Sequence, residues 1–131
     1  MINYTDNIDN LTPDKLKGFF VGWANPPSAE KHIEILKNSS FVIIAKDITN
    51  NNVVGFINAL TDKVLYAYIP LLEVLPEYQG KGIGKKLLSN MLEKLENYYA
   101  IDLCCDDELE TFYKKFSFDK VLGMVKRNYK K

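Results

Sequence analysis

Residues 76–88 read "PEYQGKGIGKKLL", and this stretch puts three glycines within five positions and two lysines directly after them. Glycine loses more conformational freedom on folding than any other residue, so three together indicate a backbone that approaches a ligand closely. Phosphate is the first candidate, because main-chain N–H groups at the start of a helix attract anions. Lys81, Lys85 and Lys86 add positive charge beside those groups. The stretch therefore predicts an anion-binding loop that opens a helix.

The spacing of the glycines does not fit the two common nucleotide-binding patterns. A P-loop needs four residues between its glycines and a hydroxyl after its lysine, whereas three residues separate Gly80 from Gly84 and Lys86 occupies the hydroxyl position. The dinucleotide pattern G-x-G-x-x-G is a weak match, because the glycines here alternate and position 85 is lysine. The spacing fits Q/R-x-x-G-x-G/A through Gln79, Gly82 and Gly84. A pyrophosphate suits this loop best, and a nucleotide-binding regulatory domain is the weaker interpretation.

The composition predicts one globular domain that spans residues 1–131. Seventeen basic residues balance seventeen acidic ones, which gives no reason to expect a nucleic-acid partner. The first residues lack the pattern of a signal peptide, and the longest apolar run, "VLYAYIPLL", is about half a membrane span, so we expect no membrane partner. Adjacent Cys104 and Cys105 disfavour a disulfide, and with His32 the single histidine no metal site is expected. These features favour the cytoplasm.

The apolar periodicity predicts an α+β domain in the order β-α-α-β-β-β-α-β-α-β, with most of its sheet antiparallel. The predicted elements are a strand at 1–5, helices at 12–23 and Ala29–Lys37, a hairpin of strands at 41–47 and 53–60, an extended segment at 64–75, a helix from 82, a strand at 100–105, a helix at 106–116, and one or two strands within 118–129. Thr12 and Ser28 are the predicted N-caps. Pro70 predicts a bulge or an irregular edge in the extended segment.

The chain resembles the GNAT superfamily of acetyl-CoA-dependent N-acetyltransferases in three segments taken in order. These are "LEVLPEYQGKGIGKKLL" (72–88), "IDLCC" (101–105) and "FYKKFSF" (112–118). The resemblance implies a splayed sheet flanked by about four helices, in which the fourth and fifth strands diverge to form a slot. The pantetheine arm of acetyl-CoA would lie in that slot and pair with the main chain of Val74 and Leu75. The expected pyrophosphate donors are the N–H groups of Gln79, Gly80, Lys81, Gly82, Ile83, Gly84 and Lys85.

Tyr113 is the candidate general acid, because the resembled family commonly has a tyrosine of this segment near the coenzyme sulfur. A phenol with a pKa near 10 is a reasonable proton donor to a departing thiolate. The alternative is a tyrosine that simply packs under the sheet. Ser117 stands where the family usually has glycine. Asp106 stands where the family often has an asparagine that contacts the pantetheine arm, so that coenzyme contact is in doubt.

Glu73 is the candidate general base or amine-orienting carboxylate, since it is the single charge in "YIPLLEVLP". Its alternative is a carboxylate that faces solvent or pairs with a lysine across the sheet. Asp102 favours a solvated strand face. Cys104 and Cys105 favour buried packing over a nucleophile, because no second histidine exists to activate a thiol.

The acceptor site is expected between the first two helices, where Phe19, Phe20 and Trp23 offer either an aromatic pocket or core packing. His32 is interpreted as structural or as lying near the mouth of that site. The sequence thus predicts an N-acetyltransferase that moves the acetyl group to a primary amine of a small molecule or peptide by direct attack in a ternary complex. The alternative is a non-catalytic module that binds coenzyme A as a sensor or partner. Homodimers are common in the resembled family, so a homodimer is a further expectation.

Overall fold

The computed structural model describes residues 1–129, which form one mixed sheet covered by helices. The strands are β1 (Ile2–Thr5), β2 (Phe41–Asp47), β3 (Asn52–Thr61), β4 (Tyr66–Tyr68), β5 (Leu72–Val74) and β6 (Ala100–Asp102). The α-helices are α1 (Ala29–Lys37), α2 (Ile83–Lys94) and α3 (Glu110–Lys114). None of the helices in this range is long and apolar enough to cross a membrane. The α+β prediction is confirmed, with three α-helices in place of about four.

The sheet runs in the order β1-β2-β3-β4-β6, and β5 also pairs with β3. Every pairing is antiparallel except that between β4 and β6, which is parallel. The predicted hairpin is confirmed as β2 and β3, which pair from Phe41 opposite Ala59 to Asp47 opposite Asn52. Strand β6 is therefore an edge strand of the described sheet.

The extended segment at 64–75 is interrupted at Pro70, as predicted, so two short strands share one side of β3. The side chain of Asn58 bridges the interruption: Leu71 N donates to Asn58 Oδ1 at 3.1 Å, and Asn58 Nδ2 donates to Ser39 Oγ at 3.0 Å. Asn58 is 2% exposed, and hydrogen bonds to both ends of its amide offset the cost of burying it. One side chain thus satisfies the N–H of Leu71, directly after the proline.

Helix α2 packs its apolar face on the sheet, as its periodicity predicts. Ile83, Leu87, Leu88 and Met91 are all 3% exposed or less. Gly55 on β3 permits the close approach, because a Cβ there would lie 3.1 Å from Leu87 Cδ1. On the other face, α1 begins at its predicted cap, where Lys31 N donates to Ser28 Oγ at 3.1 Å.

The helix predicted at 12–23 is wrong. A three-residue 3-10 turn, Pro13–Lys15, forms instead, and Thr12 precedes it without a side-chain capping bond. The chain then enters left-handed backbone at Gly18, Phe20 and Gly22, with φ of 91°, 64° and 84°. A right-handed helix cannot continue through such residues. Residues 16–28 (the acceptor loop) are therefore an irregular segment.

The strands predicted within 118–129 are also wrong. Residues 119–129 form no strand and, within the described part of the chain, take part in no main-chain hydrogen bond. A strand needs a partner edge, and the one salt bridge of this segment within residues 1–129 joins Lys120 Nζ to Glu110 Oε1 at 3.3 Å. The helix predicted at 106–116 is shorter, with a 3-10 turn at Asp107–Leu109 before α3.

Candidate active site

The glycine loop joins the 3-10 turn Pro76–Tyr78 to the start of α2. Gly80 and Gly82 have φ of 77° and 83°, which favours glycine, and a Cβ at either would meet no atom within 4 Å. The helix begins where Lys86 N donates to Gly82 O at 3.1 Å, so the N–H groups just before it lack helical acceptors. These N–H groups lie at the positive end of a 12-residue helix. An exposed helix start of this kind attracts anions.

Contacts with the sheet hold the loop in place. Tyr78 Oη donates to Asp47 Oδ2 at 2.7 Å, and Gln79 Nε2 donates to Val74 O at 3.0 Å. The hydrogen bond from Tyr78, followed by bonds from the main chain and hydroxyl of Thr49, lowers the pKa of Asp47 to about 2. Lys81 Nζ lies 5.4 Å from the centre of the Tyr78 ring, within cation–π range. Asp47 and Tyr78 carry no local sequence signal for this role, because 31 residues separate them.

The outer edge of β5 is unpaired. Leu75 N donates to Val54 O at 2.8 Å, and Leu75 O accepts from Tyr78 N at 2.9 Å, so both main-chain groups of Leu75 are used inside the protein. Groups alternate in direction along an antiparallel strand, so the N–H and C=O of Val74 point away from β3. The C=O takes the bond from Gln79, which leaves the N–H facing outward. Val74 and Leu75 were both expected to pair with a pantetheine arm. Val74 has an outward N–H for this, whereas both main-chain groups of Leu75 are already used.

A slot opens beside this edge because β6 follows β4 and not β5. The last main-chain hydrogen bond along the β4–β6 pairing joins Ile69 N to Asp102 O at 2.9 Å, and the two segments then separate. At the far end of the slot, a Cβ at Gly84 would lie 3.7 Å from Val74 Cγ2 and 3.9 Å from Phe112 Cζ. The glycine loop, β5 and α3 thus meet at one place.

Tyr113 is 8% exposed and lines a cavity of about 270 Å³ between α3, the end of β6 and residues 118–125. Burial, with a smaller contribution from Cys105, raises the pKa of Tyr113 to about 12. The phenol therefore keeps its proton at neutral pH. Asp106 lines the same cavity, whereas Glu73 and the glycine loop do not. The two candidate catalytic residues do not share a cavity.

Glu73 lies between β5 and the acceptor loop. Its Oε1 accepts from Phe20 N at 2.8 Å and its Oε2 accepts from Val21 N at 3.2 Å. The carboxylate therefore does not simply face solvent or pair with a lysine, since it binds main chain 52 and 53 residues away. Charge-assisted hydrogen bonds of this kind are stronger than neutral ones. Glu73 thus fixes the strained turn at Phe20 against the strand beside the slot.

The aromatic residues of the acceptor loop belong mainly to the core. Phe20 is 4% exposed, and Phe19, Phe20 and Phe56 surround His32, whose ring centre lies 4.4 Å from that of Phe56. Both His32 nitrogens are buried without a hydrogen-bond partner within residues 1–129, and burial lowers the pKa of His32 to about 4. His32 is a neutral core residue. Trp23 is 52% exposed and leaves one aromatic face toward solvent.

The remaining polar candidates lie around the end of β6. Asp102 accepts from Tyr66 Oη at 2.7 Å, and that bond is the main reason why the pKa of Tyr66 rises to about 12. Cys104 and Cys105 are exposed free thiols, so the buried packing predicted for them is wrong. In the described chain no group of three or more histidine, cysteine or acidic side chains is arranged to hold a metal ion.

Residues 7–129 match the family model described as the acetyltransferase (GNAT) domain. The chain belongs to the GNAT acetyltransferase family. This confirms the resemblance carried by the glycine loop and the segments around it. The domain is 35% identical over 112 residues to an uncharacterized N-acetyltransferase, ycf52, of Pyropia yezoensis, covering 79% of the chain and 64% of that relative. It is 30% identical over 131 residues to ycf52 of Porphyra purpurea, covering 92% and 75%.

The GNAT domain also matches a crystal structure of a Deinococcus radiodurans R1 protein described as an acetyltransferase. The TM-score is 0.94 at 36% identity, covering 98% of this chain and 90% of that one. At this similarity the two chains share the same fold. The chain nevertheless spans less than two thirds of the Pyropia relative.

Proposed function

We propose that this GNAT domain transfers the acetyl group of acetyl-CoA to a primary amine of a small molecule or peptide, by direct attack in a ternary complex. The observation that carries the proposal is the unpaired edge of β5, which leads from the glycine loop to α3. The exposed, unpaired thiols of Cys104 and Cys105 support action in the reducing cytoplasm.

The residues present fit the coenzyme. The open space over Gly80 and Gly82 suits a pyrophosphate on the N–H groups from Gln79 to Lys85, with Lys81 and Lys85 beside it. The outward N–H of Val74 would hold the pantetheine arm as a missing strand would. When bound, acetyl-CoA supplies the thioester whose acetyl group is transferred.

Tyr113 is proposed to hold the proton that the departing thiolate needs. A group can donate a proton only while it carries one, and a pKa of about 12 keeps the phenol protonated through the physiological range. The amine must instead lose its proton before it attacks. Deprotonating a lysine-like amine at pH 7 costs about 4–5 kcal/mol. Alignment of amine and thioester in one complex would supply much of the remaining acceleration.

Glu73 is proposed to orient the amine by holding the acceptor loop. Its oxygens already accept two main-chain N–H groups, so a direct role as general base would compete with those bonds. A positioning residue of this kind affects acceptor binding more than coenzyme binding. Glu73→Gln, which keeps the shape and loses one acceptor, should raise KM for the amine and leave the acetyl-CoA affinity within about twofold.

Calorimetric titration with acetyl-CoA, beside ATP and NAD, tests the coenzyme first. Micromolar binding of acetyl-CoA alone supports the proposal, and amines can then be screened by release of the free thiol. Tyr113→Phe should lower kcat at least about tenfold with unchanged acetyl-CoA affinity. Tyr99→Phe, at a tyrosine that is 88% exposed, is the matched control. Unchanged turnover in Tyr113→Phe removes the acid role, and binding with no thiol release for any amine favours the coenzyme A-binding module.

A further inference from the structure

Two free thiols lie at the cavity around Tyr113, and the proposed acetyl transfer gives neither of them a role. Cys104 and Cys105 come shortly after the end of β6, are exposed, and line the cavity of about 270 Å³ together with Tyr113. Tyr113 is more than nine-tenths buried, and its phenol makes no hydrogen bond within residues 1–129. A buried polar group without a partner indicates a place where a ligand atom completes the contacts.

The two cysteines have different neighbours. Cys105 lies close enough to Tyr113 for its charge to contribute to the raised pKa of that phenol. Cys104 acts in this way on Tyr68 of β4, where its hydrogen bond is the main reason why the pKa of Tyr68 is raised. Tyr113 is the residue proposed to give a proton to the departing coenzyme sulfur. Cys105 is therefore the cysteine beside the place where that sulfur would lie.

We propose that Cys105 is a modification site at which the chain forms a mixed disulfide with coenzyme A. This inference rests on the proposed function, because it needs a slot that binds the coenzyme. The co-reactant is the disulfide of coenzyme A. The Cys105 thiolate attacks one sulfur of that disulfide and forms a new S–S bond, and the other coenzyme leaves as a thiolate that takes up the proton lost by Cys105. Cys105 is oxidised and the departing sulfur is reduced.

The surroundings of Cys105 favour selectivity over general reactivity. Partial burial, followed by the charges of Glu110 and Asp106, raises the pKa of the Cys105 thiol. Such a thiol is mostly protonated at neutral pH and reacts slowly with disulfides from solution. A disulfide whose pyrophosphate is held at the glycine loop is instead presented to the thiol at a high effective concentration. The site should therefore distinguish coenzyme A disulfide from other disulfides.

The neighbouring thiol cannot readily remove the modification. Release by Cys104 would need a disulfide between adjacent residues, whose Cα atoms lie about 3.8 Å apart, whereas disulfides span roughly 4.4–6.8 Å. The mixed disulfide thus persists until an external thiol reduces it. While it persists, the attached coenzyme occupies the slot and excludes acetyl-CoA. The modification would therefore couple acetyl transfer to the redox state of the coenzyme.

Intact-protein mass spectrometry tests the modification without any assay of acetyl transfer. The reduced protein, incubated with micromolar coenzyme A disulfide, should gain the mass of one coenzyme A less two hydrogen atoms, and dithiothreitol should remove this mass. Fragmentation of the peptide that holds both cysteines should place the adduct on Cys105. Glutathione disulfide at the same concentration should react at least about tenfold more slowly, because it has no pyrophosphate. Equal rates for the two disulfides, or an adduct on Cys104, overturn the proposal.

Matched variants separate the thiol from the loop that presents the disulfide. Cys105→Ser should take no adduct, whereas Cys104→Ser, at the adjacent exposed thiol, should react as the natural chain does. Gly82→Asp should slow the reaction with coenzyme A disulfide at least about tenfold, to near the rate with glutathione disulfide. An unchanged rate in Gly82→Asp overturns the proposal.

Calorimetry with acetyl-CoA, run on the same protein, distinguishes the two possible failures. A chain that binds acetyl-CoA and takes no adduct refutes the modification site alone. A chain that does not bind acetyl-CoA refutes the proposed function, and the modification site with it.

Discussion

Ser117 holds the end of α3 in a conformation that glycine adopts more readily. Its φ is +68°, and the chain turns back through two bonds: Ser117 N donates to Lys114 O at 3.0 Å, and Phe118 N donates to Tyr113 O at 3.4 Å. This is the Schellman arrangement, in which the left-handed residue is usually glycine. The accompanying apolar contact is that of Phe118 with Tyr113, whose ring centres lie 5.8 Å apart. We therefore predict that Ser117→Gly stabilises the domain.

The magnitude follows from two opposing terms. A left-handed conformation costs a residue with a Cβ about 1–2 kcal/mol. Glycine avoids this cost, but its unfolded chain has more conformational freedom to lose, which costs roughly 0.5–1 kcal/mol. Ser117 is exposed and its side chain makes no bond in the described structure, so no other term enters. The net gain is about 0.5–1 kcal/mol, or about 2–5 °C in Tm for a domain of this size.

Urea unfolding at pH 7.5, with the midpoint and slope fitted together, measures the change. The matched control is Ser89→Gly within α2, where the same substitution should cost about 0.5 kcal/mol because the backbone there is right-handed. Opposite signs at the two serines support the reasoning. Equal signs, or a loss of stability at Ser117, would refute the claim that the turn strains that residue.

Three further predictions concern the core and the loop. Gly55→Ala should destabilise the domain by about 1–3 kcal/mol in urea unfolding, because the new Cβ meets Leu87 Cδ1 at 3.1 Å, and an unchanged midpoint would contradict that fit. The pKa of His32 is about 4 in the folded chain against 6.5 unfolded, so the unfolded chain binds more protons and stability falls by about 3 kcal/mol as the pH drops from 6.5 to 4. His32→Leu should remove that loss, which parallel pH series of unfolding curves would reveal. Gly82→Asp should weaken acetyl-CoA binding at least about 100-fold in calorimetry, whereas Gly82→Ala, which carries the same backbone strain without the charge, should bind more tightly than the Asp variant.

The parts of the fold that depend on local patterns could be predicted from the sequence. Helix α2 follows from the spacing of Ile83, Leu87 and Met91, and the interruption of the extended segment follows from Pro70. The glycine loop belongs to the same class, since its glycines, its lysines and its helix start lie within ten residues. Each of these features is decided by neighbours along the chain.

The parts that depend on distant partners could not be predicted. The acceptor loop has a helical start signal at Thr12 and Pro13, yet Glu73 binds Phe20 N from 53 residues away, at a left-handed turn. Likewise, nothing near Asp47 in sequence indicates that Tyr78 will bind it. The side chain of Glu73 could be placed on β5 but not assigned a partner.

The wrong strand prediction at residues 119–129 has a different cause. The alternating apolar residues there have the pattern of a strand, but a strand forms only beside an edge. Within residues 1–129 a cleft separates this segment from the edge strand β6. The strand predicted within 118–129 is therefore absent from the described chain.

The outward edge of β5 has a consequence for how relatives of this domain diverge. The groups that it offers to a ligand belong to the peptide backbone, and the backbone is the same for nineteen of the twenty amino acids. Drift in the sequence of Leu72–Val74 therefore leaves those groups in place, and only a proline at 74 would delete the outward N–H. If β5 holds the proposed coenzyme, its side chains can change without loss of the binding groups, whereas a side chain at Gly80 or Gly82 would strain the loop. Sequence similarity among relatives is therefore expected to persist in the glycine loop and to be lost in β5.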